Sequence, residues 1–318
     1  MTVAREDLED FLERLRREIG DPRAGLFGPG STMWEVNREA VAFLGGGRAA
    51  LLQLAHPYVA HAVDQHSRTR EDLLGRFVRT FDHVFAMVFG DLDGAIRSSR
   101  RVHAFHRTVT GTIDEDIGPF RKGHRYQAND EAALFWVEAT LIDTSVQIFE
   151  LLVRSLTLAE KEAFYRDWRR FGFLFGIPDR DVPPDWTAFE RYMARMFRDG
   201  SPLAVGRPAR ALSGFLFHPK SLPVAAFARW YEVMTAALLP ERIRSEFGFT
   251  HGVAQRATFQ TSVAALRIAL PHLPSAIRYL PAYNEALRRI GAHEASPFES
   301  IVFDAWQRLA ASARPAAG

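Results

Sequence analysis

Residues 71–89 read EDLLGRFVRTFDHVFAMVF, and their apolar period decides the fold class. Phe77, Phe81, Val84 and Val88 recur at steps of three and four, which places them on one stripe of an α-helix. Gly90 follows as a stop signal. Asp91 then caps a next helix, which the pattern carries to about Thr110, with Gly111 ending it.

The same period extends outward in both directions. Leu8, Phe11, Leu12, Leu15 and Ile19 mark a helix over 5–19. The loop DPRAGLFGPGS (21–31) leads to an N-cap at Ser31 or Thr32, and MWEVNREAVAFL continues as helix until Gly45–Gly47 break it. Residues 48–66 resume it, with Pro57 as a restart or kink. Residues 112–129 read as a loop, because Gly118-Pro119 and Gly123 are breakers. A long apolar helix opens at Asp130 and runs to about 155, and Thr157 with Glu160 forms a capping box for the next. After the turn-rich GIPDRDVPPDW (176–186), helices are expected near 186–198, 207–217, 222–238, 250–270, 274–290 and 297–311. No convincing strand, hairpin or repeat is found. The expectation is a single large all-α domain, an N-terminal helix and loop over 1–30 preceding a helical domain over 31–312.

Composition narrows the chemistry. Of 318 residues, 47% are apolar and 25% charged, which fits a folded chain with a large core. Cysteine is absent, so disulfides, thiolate metal sites, iron–sulfur clusters and cysteine nucleophiles are excluded. The net charge of +2 gives no field that would recruit nucleic acid. Only Lys122, Lys161 and Lys220 are lysines, which leaves little scope for Schiff-base chemistry. No uninterrupted apolar run is long enough to predict a membrane span. The N-terminal MTVAREDLEDFLERLRREIG is a charged amphipathic helix rather than a signal peptide, and sets the expectation of a cytoplasmic protein.

Nucleotide loops, HExxH, a nucleophile elbow and paired Glu-x-x-His motifs are all missing from the sequence. Histidine remains: six of eleven fall between His56 and His106. His103 and His106 share one helix. With Phe105 taken as the buried direction, His106 lies about 100° away, on the shoulder of the stripe, and His103 about 160° away, pointing outward. Ala95 and Ser99 are small residues beside His106, where a flat ligand would find room. The alternative is a core-edge histidine bonding a carbonyl. Arg76 and Thr80 are four apart on the preceding helix, and a buried arginine there needs an anion, either a cofactor propionate or a carboxylate of a neighbouring helix. Glu138, Asp143 and Thr144 interrupt an apolar helix and call for partners, with structural pairing to Arg or His as the expected role.

The order of segments LLQLAHPYVAHAVDQHS, RFVRTFDHVFAMVFGD, RVHAFHRTVTG, YQANDEAALFWVEATLIDT and FGIPDRDVPP resembles the DUF2236 family, the MpaB-like or rubber-oxygenase catalytic domain. The resemblance covers roughly residues 30–200. It implies an all-helical, globin-like core with additional helices, b-type haem held by one axial histidine, and dioxygen used to cleave an isoprenoid C=C bond. His106, in HRTV, would be that ligand to the iron, and Arg76 and Thr80, in RFVRT, would line the distal side or the haem edge. Arg79 stands where the rubber oxygenases carry a lysine that can occupy the distal iron position, and a guanidinium is a very poor ligand. Their catalytic glutamate falls near Ala60 here, flanked by His56, His61 and Asp64. The base is then a histidine or that mechanism does not operate; His56 or His61 is also a candidate second axial ligand, and His103 an alternative to His106. A small apolar, terpenoid-like substrate and dioxygen are the expected partners. A non-enzymatic haem- or lipid-binding helical protein is the second class, and a metal-independent enzyme that inherited the fold is the third.

Overall fold

The computed structural model describes residues 1–66, 83–217, 222–294 and 296–312. The expected all-α, single-domain architecture is observed, with one two-stranded sheet among the described residues.

The centre is the Glu131–Leu152 helix. It is apolar on nearly every side, and Trp136, Ala139, Ile142 and Ile148 are fully buried. By length and composition it is able to cross a membrane, but 67% of its most apolar window is buried inside the protein. Its faces meet the Gly46–Leu54 helix, the 3₁₀ turn Ala40–Gly45, the Leu158–Gly172 helix and the Val253–Ala269 helix. The Trp136 indole donates to Leu52 O at 2.9 Å, so even the polar edge of this side chain is satisfied within the core.

The caps form where the residue types demand them. Ser31 accepts from Trp34 N at 3.1 Å, and Asp130 from Ala133 N at 3.0 Å. Asp91 accepts from Gly94 N. Thr157 and Glu160 close a reciprocal capping box.

Three expectations need correction. Residues 32–44 are not one helix: Thr32–Asn37 ends and a 3₁₀ turn follows. The break is tertiary in origin, because Glu39 is buried and takes two hydrogen bonds from Arg278, at 2.9 Å each. The stretch 112–129 is not wholly loop. Thr110–Thr112 pairs antiparallel with Arg125–Gln127, Gly111 facing Tyr126, and three residues a strand are too few to show alternation. Accordingly the preceding helix, Leu92–His106, stops before Thr110.

Gly45 and Gly47 also act differently from the expected helix break. A β-carbon on Gly45 would collide with Thr144 and Ile148, and one on Gly47 with Thr235. The backbone itself is the contact surface there. This close approach sets Arg48, the next residue, between the Glu131–Leu152 and Leu222–Leu238 helices.

Candidate functional site

The Leu92–His106 helix turns inward a different face from the one that Phe105 predicts. Its buried residues are Leu92, Ala95, Ile96, Ser98, Ser99 and His103, whereas Phe105 is 60% exposed. Anchoring the helix on its largest apolar residue therefore inverted the two histidines. His103 lies inward, with Nε2 at 3.3 Å from Val3 O, while Asn129 donates to its carbonyl. The ring of His103 is tied to the N-terminal segment.

His106 closes the last turn of the helix, about 60° around from His103. It is half-buried and its Nδ1 is enclosed; the Phe105 ring stands 6.3 Å away. The room expected beside Ala95 and Ser99 is filled. Ala95 is fully buried, and Ser99 donates to Leu174 O at 2.6 Å in the Phe173–Phe175 turn. Phe173 of the same turn stacks on the Phe11 ring at 4.9 Å. Arg76, Arg79 and Thr80 lie outside the described residues.

The other expected histidines gather around the short hairpin. His56 is buried against the Tyr58 and Phe120 rings, and its Nδ1 accepts from Tyr58 N at 3.3 Å. Burial pushes its pKa down to about 4, so the ring is neutral at pH 7. His61 is 1% exposed. Its Nδ1 meets Pro57 O and its Nε2 meets Asp114 Oδ1, both at 2.8 Å, with Glu115 Oε1 at 4.0 Å. The hydrogen bond from His61 holds the Asp114 carboxyl below its usual range. Asp114, Glu115 and Arg207 were invisible to the sequence reading, since they sit on a loop and a distant helix start with no shared spacing.

The polar trio of the central helix divides. Asp143 and Thr144 clamp Arg48: its Nη2 lies 2.6 Å from Asp143 Oδ2, its Nη1 2.6 Å from Thr144 Oγ1, and its Nε donates to Leu238 O at 2.9 Å. That is the expected structural pairing. Glu138 is different. It is buried against Gly172, whose β-carbon would stand 3.1 Å from Oε2, and Oε2 has no hydrogen-bond partner among the described residues. Burial raises its pKa well above 4.5.

These two groups shape stability against pH in opposite ways. Below pH 6.5 the unfolded chain protonates His56 and the folded one does not until about pH 4, so stability falls as pH drops through that window, by about 3 kcal/mol. Above pH 4.5 the unfolded chain releases the Glu138 proton while the folded one keeps it, so this group lowers stability as pH rises toward its own raised value. Urea unfolding across pH 4–9 is expected to show His56→Asn flattening the acid limb and Glu138→Gln flattening the opposite one. Unchanged limbs in either variant would refute that assignment.

The fold and geometry define an all-α core with a half-buried imidazole at a helix end and a second histidine against carboxylates. The chain belongs to the family described as ER-bound oxygenase mpaB/B'/Rubber oxygenase, catalytic domain, which matches residues 33–268. It is also 29% identical over 176 residues to proteins of Mycobacterium bovis and Mycobacterium tuberculosis, both described as uncharacterized. Those alignments span 54% of this chain and 66% of each relative, just under two thirds of its length. No solved structure matches the chain.

Proposed function

We propose that the protein is a haem b-dependent oxygenase acting on a small apolar substrate with dioxygen, and that His106 is the axial ligand. The observation that carries this reading is the position of His106, a half-buried imidazole in the HRTV motif within a chain matched to an oxygenase catalytic domain. The donor chemistry fits: with no cysteine, imidazole is the strongest iron donor the chain offers, and haem accepts a single neutral imidazole. When bound, haem would supply the activation of dioxygen.

The chain's own residues would do the rest. His106 would hold the group through one ring nitrogen. Arg76 and Thr80, by their place in RFVRT, would offer a cation and a hydroxyl to the bound group. His56, neutral and buried, would exclude water rather than serve as a strong base, because its pKa near 4 leaves it little affinity for a proton at pH 7. His103, the alternative to His106, has its Nε2 turned to Val3 O and is not the ligand in this reading.

The test is a hemin titration of the full chain followed in the visible region. Expected is a saturable Soret band at one haem per chain, and oxygen consumption with an apolar alkene plus a reductant. Failure of any band to form would end the haem reading. A band without turnover on any alkene would move the protein to the binding class.

A further inference from the structure

We infer that His61, Asp114 and Glu115 form a second, haem-independent site for a divalent first-row metal ion, Zn²⁺ being the best fit. Their ligand atoms lie within 4.8 Å of one another. His61 Nε2 stands 2.8 Å from Asp114 Oδ1 and 4.0 Å from Glu115 Oε1. Ligand distances of about 2.1 Å in a tetrahedral site put neighbouring donor atoms about 3.4 Å apart. The two separations from His61 bracket that value, and the two carboxylates offer oxygens within 4.8 Å of each other.

The surroundings resemble a prepared ligand set. Nδ1 of His61 is committed to Pro57 O at 2.8 Å, the outer hydrogen bond that fixes the tautomer and orientation of a ligating histidine. The Pro57 carbonyl can only accept, so Nδ1 carries a hydrogen; Nε2 in turn meets a carboxylate oxygen, which also only accepts, so that contact needs a cation between the two atoms, either a proton or a metal ion. A proton there would serve Asp114 alone, whereas a divalent ion serves both carboxylates. Each carboxylate is also divided in its contacts. Arg207 takes the far oxygens, Asp114 Oδ2 at 3.5 Å and Glu115 Oε2 at 3.2 Å, and leaves Oδ1 and Oε1 toward the imidazole. Glu115 Oε1 is further seated by the Arg207 backbone N–H at 2.9 Å, over Gly206, where any β-carbon would strike it. Two carboxylates against one guanidinium leave a net charge of −1 beside the imidazole, which attracts a cation. Asp114 is 58% exposed at its side chain, so an ion has a way in from solvent, and a water molecule can complete the fourth position. One imidazole with two carboxylates suits zinc, and Mn²⁺ more weakly by the usual affinity order.

The experiment is equilibrium dialysis of the full chain against Zn²⁺ or Mn²⁺ after treatment with chelator, with the added metal counted by mass spectrometry and the affinity read by calorimetry. Counting zinc and manganese rather than iron keeps the result apart from haem. One equivalent of Zn²⁺ is expected in the parent chain. Asp114→Asn, at an exposed position that tolerates change, and Glu115→Gln should each weaken it at least tenfold, and His61→Ala should abolish it. Absence of saturable Zn²⁺ binding in the parent chain overturns the site. Binding that is unchanged in Asp114→Asn and Glu115→Gln does so too, by placing the metal elsewhere. If His61→Ala fails to fold, the two carboxylate variants decide alone.

Discussion

His106→Ala is expected to show no Soret band after hemin addition while keeping its helical circular dichroism. The side chain is half-buried at the end of its helix, so truncation opens little core and the fold survives. Removing an axial donor is more costly than removing a partner that merely orients one, and even the latter weakens metal binding by about 10–100-fold. The loss in haem affinity should therefore exceed 100-fold, roughly, on that scale. External imidazole, filling the space left by the ring, should restore part of the band. Should His106→Ala bind hemin as the parent chain does, His106 is not the ligand. His103→Ala is the comparison variant. Its ring is tied to Val3, and its removal is expected to affect stability more than the Soret band.

The second large effect concerns Arg48, and here the expected change is in stability. Arg48→Met removes the cation from between Asp143, Thr144 and the Leu238 carbonyl, and should cost about 3 kcal/mol in urea unfolding. The lower end of the range for a broken buried pair applies because the Asp143 side chain is 26% exposed and water reaches part of it. The double variant Arg48→Met with Asp143→Leu should recover most of the loss, since the penalty comes from the orphaned carboxylate rather than from the missing attraction. A double variant no more stable than the single one would contradict that account. Neither change touches the histidines, so hemin binding by the folded fraction should be unaltered.

How far the sequence could be read depended on whether the signal was local. Caps were legible because Ser31, Asp91, Asp130 and Thr157 act on backbone N–H groups three residues away. The long central helix was legible from its composition, and so was the need of Asp143 and Thr144 for a partner. The partner itself was hidden, because Arg48 is nearly a hundred residues distant and follows a run of glycines that looked like a break. The phase of the Leu92–His106 helix failed for a sharper reason. A large aromatic residue ordinarily marks the buried side, but this helix ends one residue after Phe105, where the surface begins. Once the stripe is drawn through Ser99 and His103, His106 still follows within 60°, so the choice of His106 does not depend on the mistaken anchor. The Asp114–His61 contact had no signal at all, being a loop carboxylate meeting a helix across 53 positions of chain.

The bare-backbone crossing at Gly45 and Gly47 has an evolutionary corollary. Where two helices touch through side chains, a substitution on one can be absorbed by a rotamer on the other. Here there is nothing to rotate on the glycine side. Position 45 can enlarge only if 144 and 148 both give way, and position 47 only if 235 does. Across homologous chains these columns should change together or not at all, and a lineage that fills either gap should also have lost the guanidinium clamp that the close crossing aims.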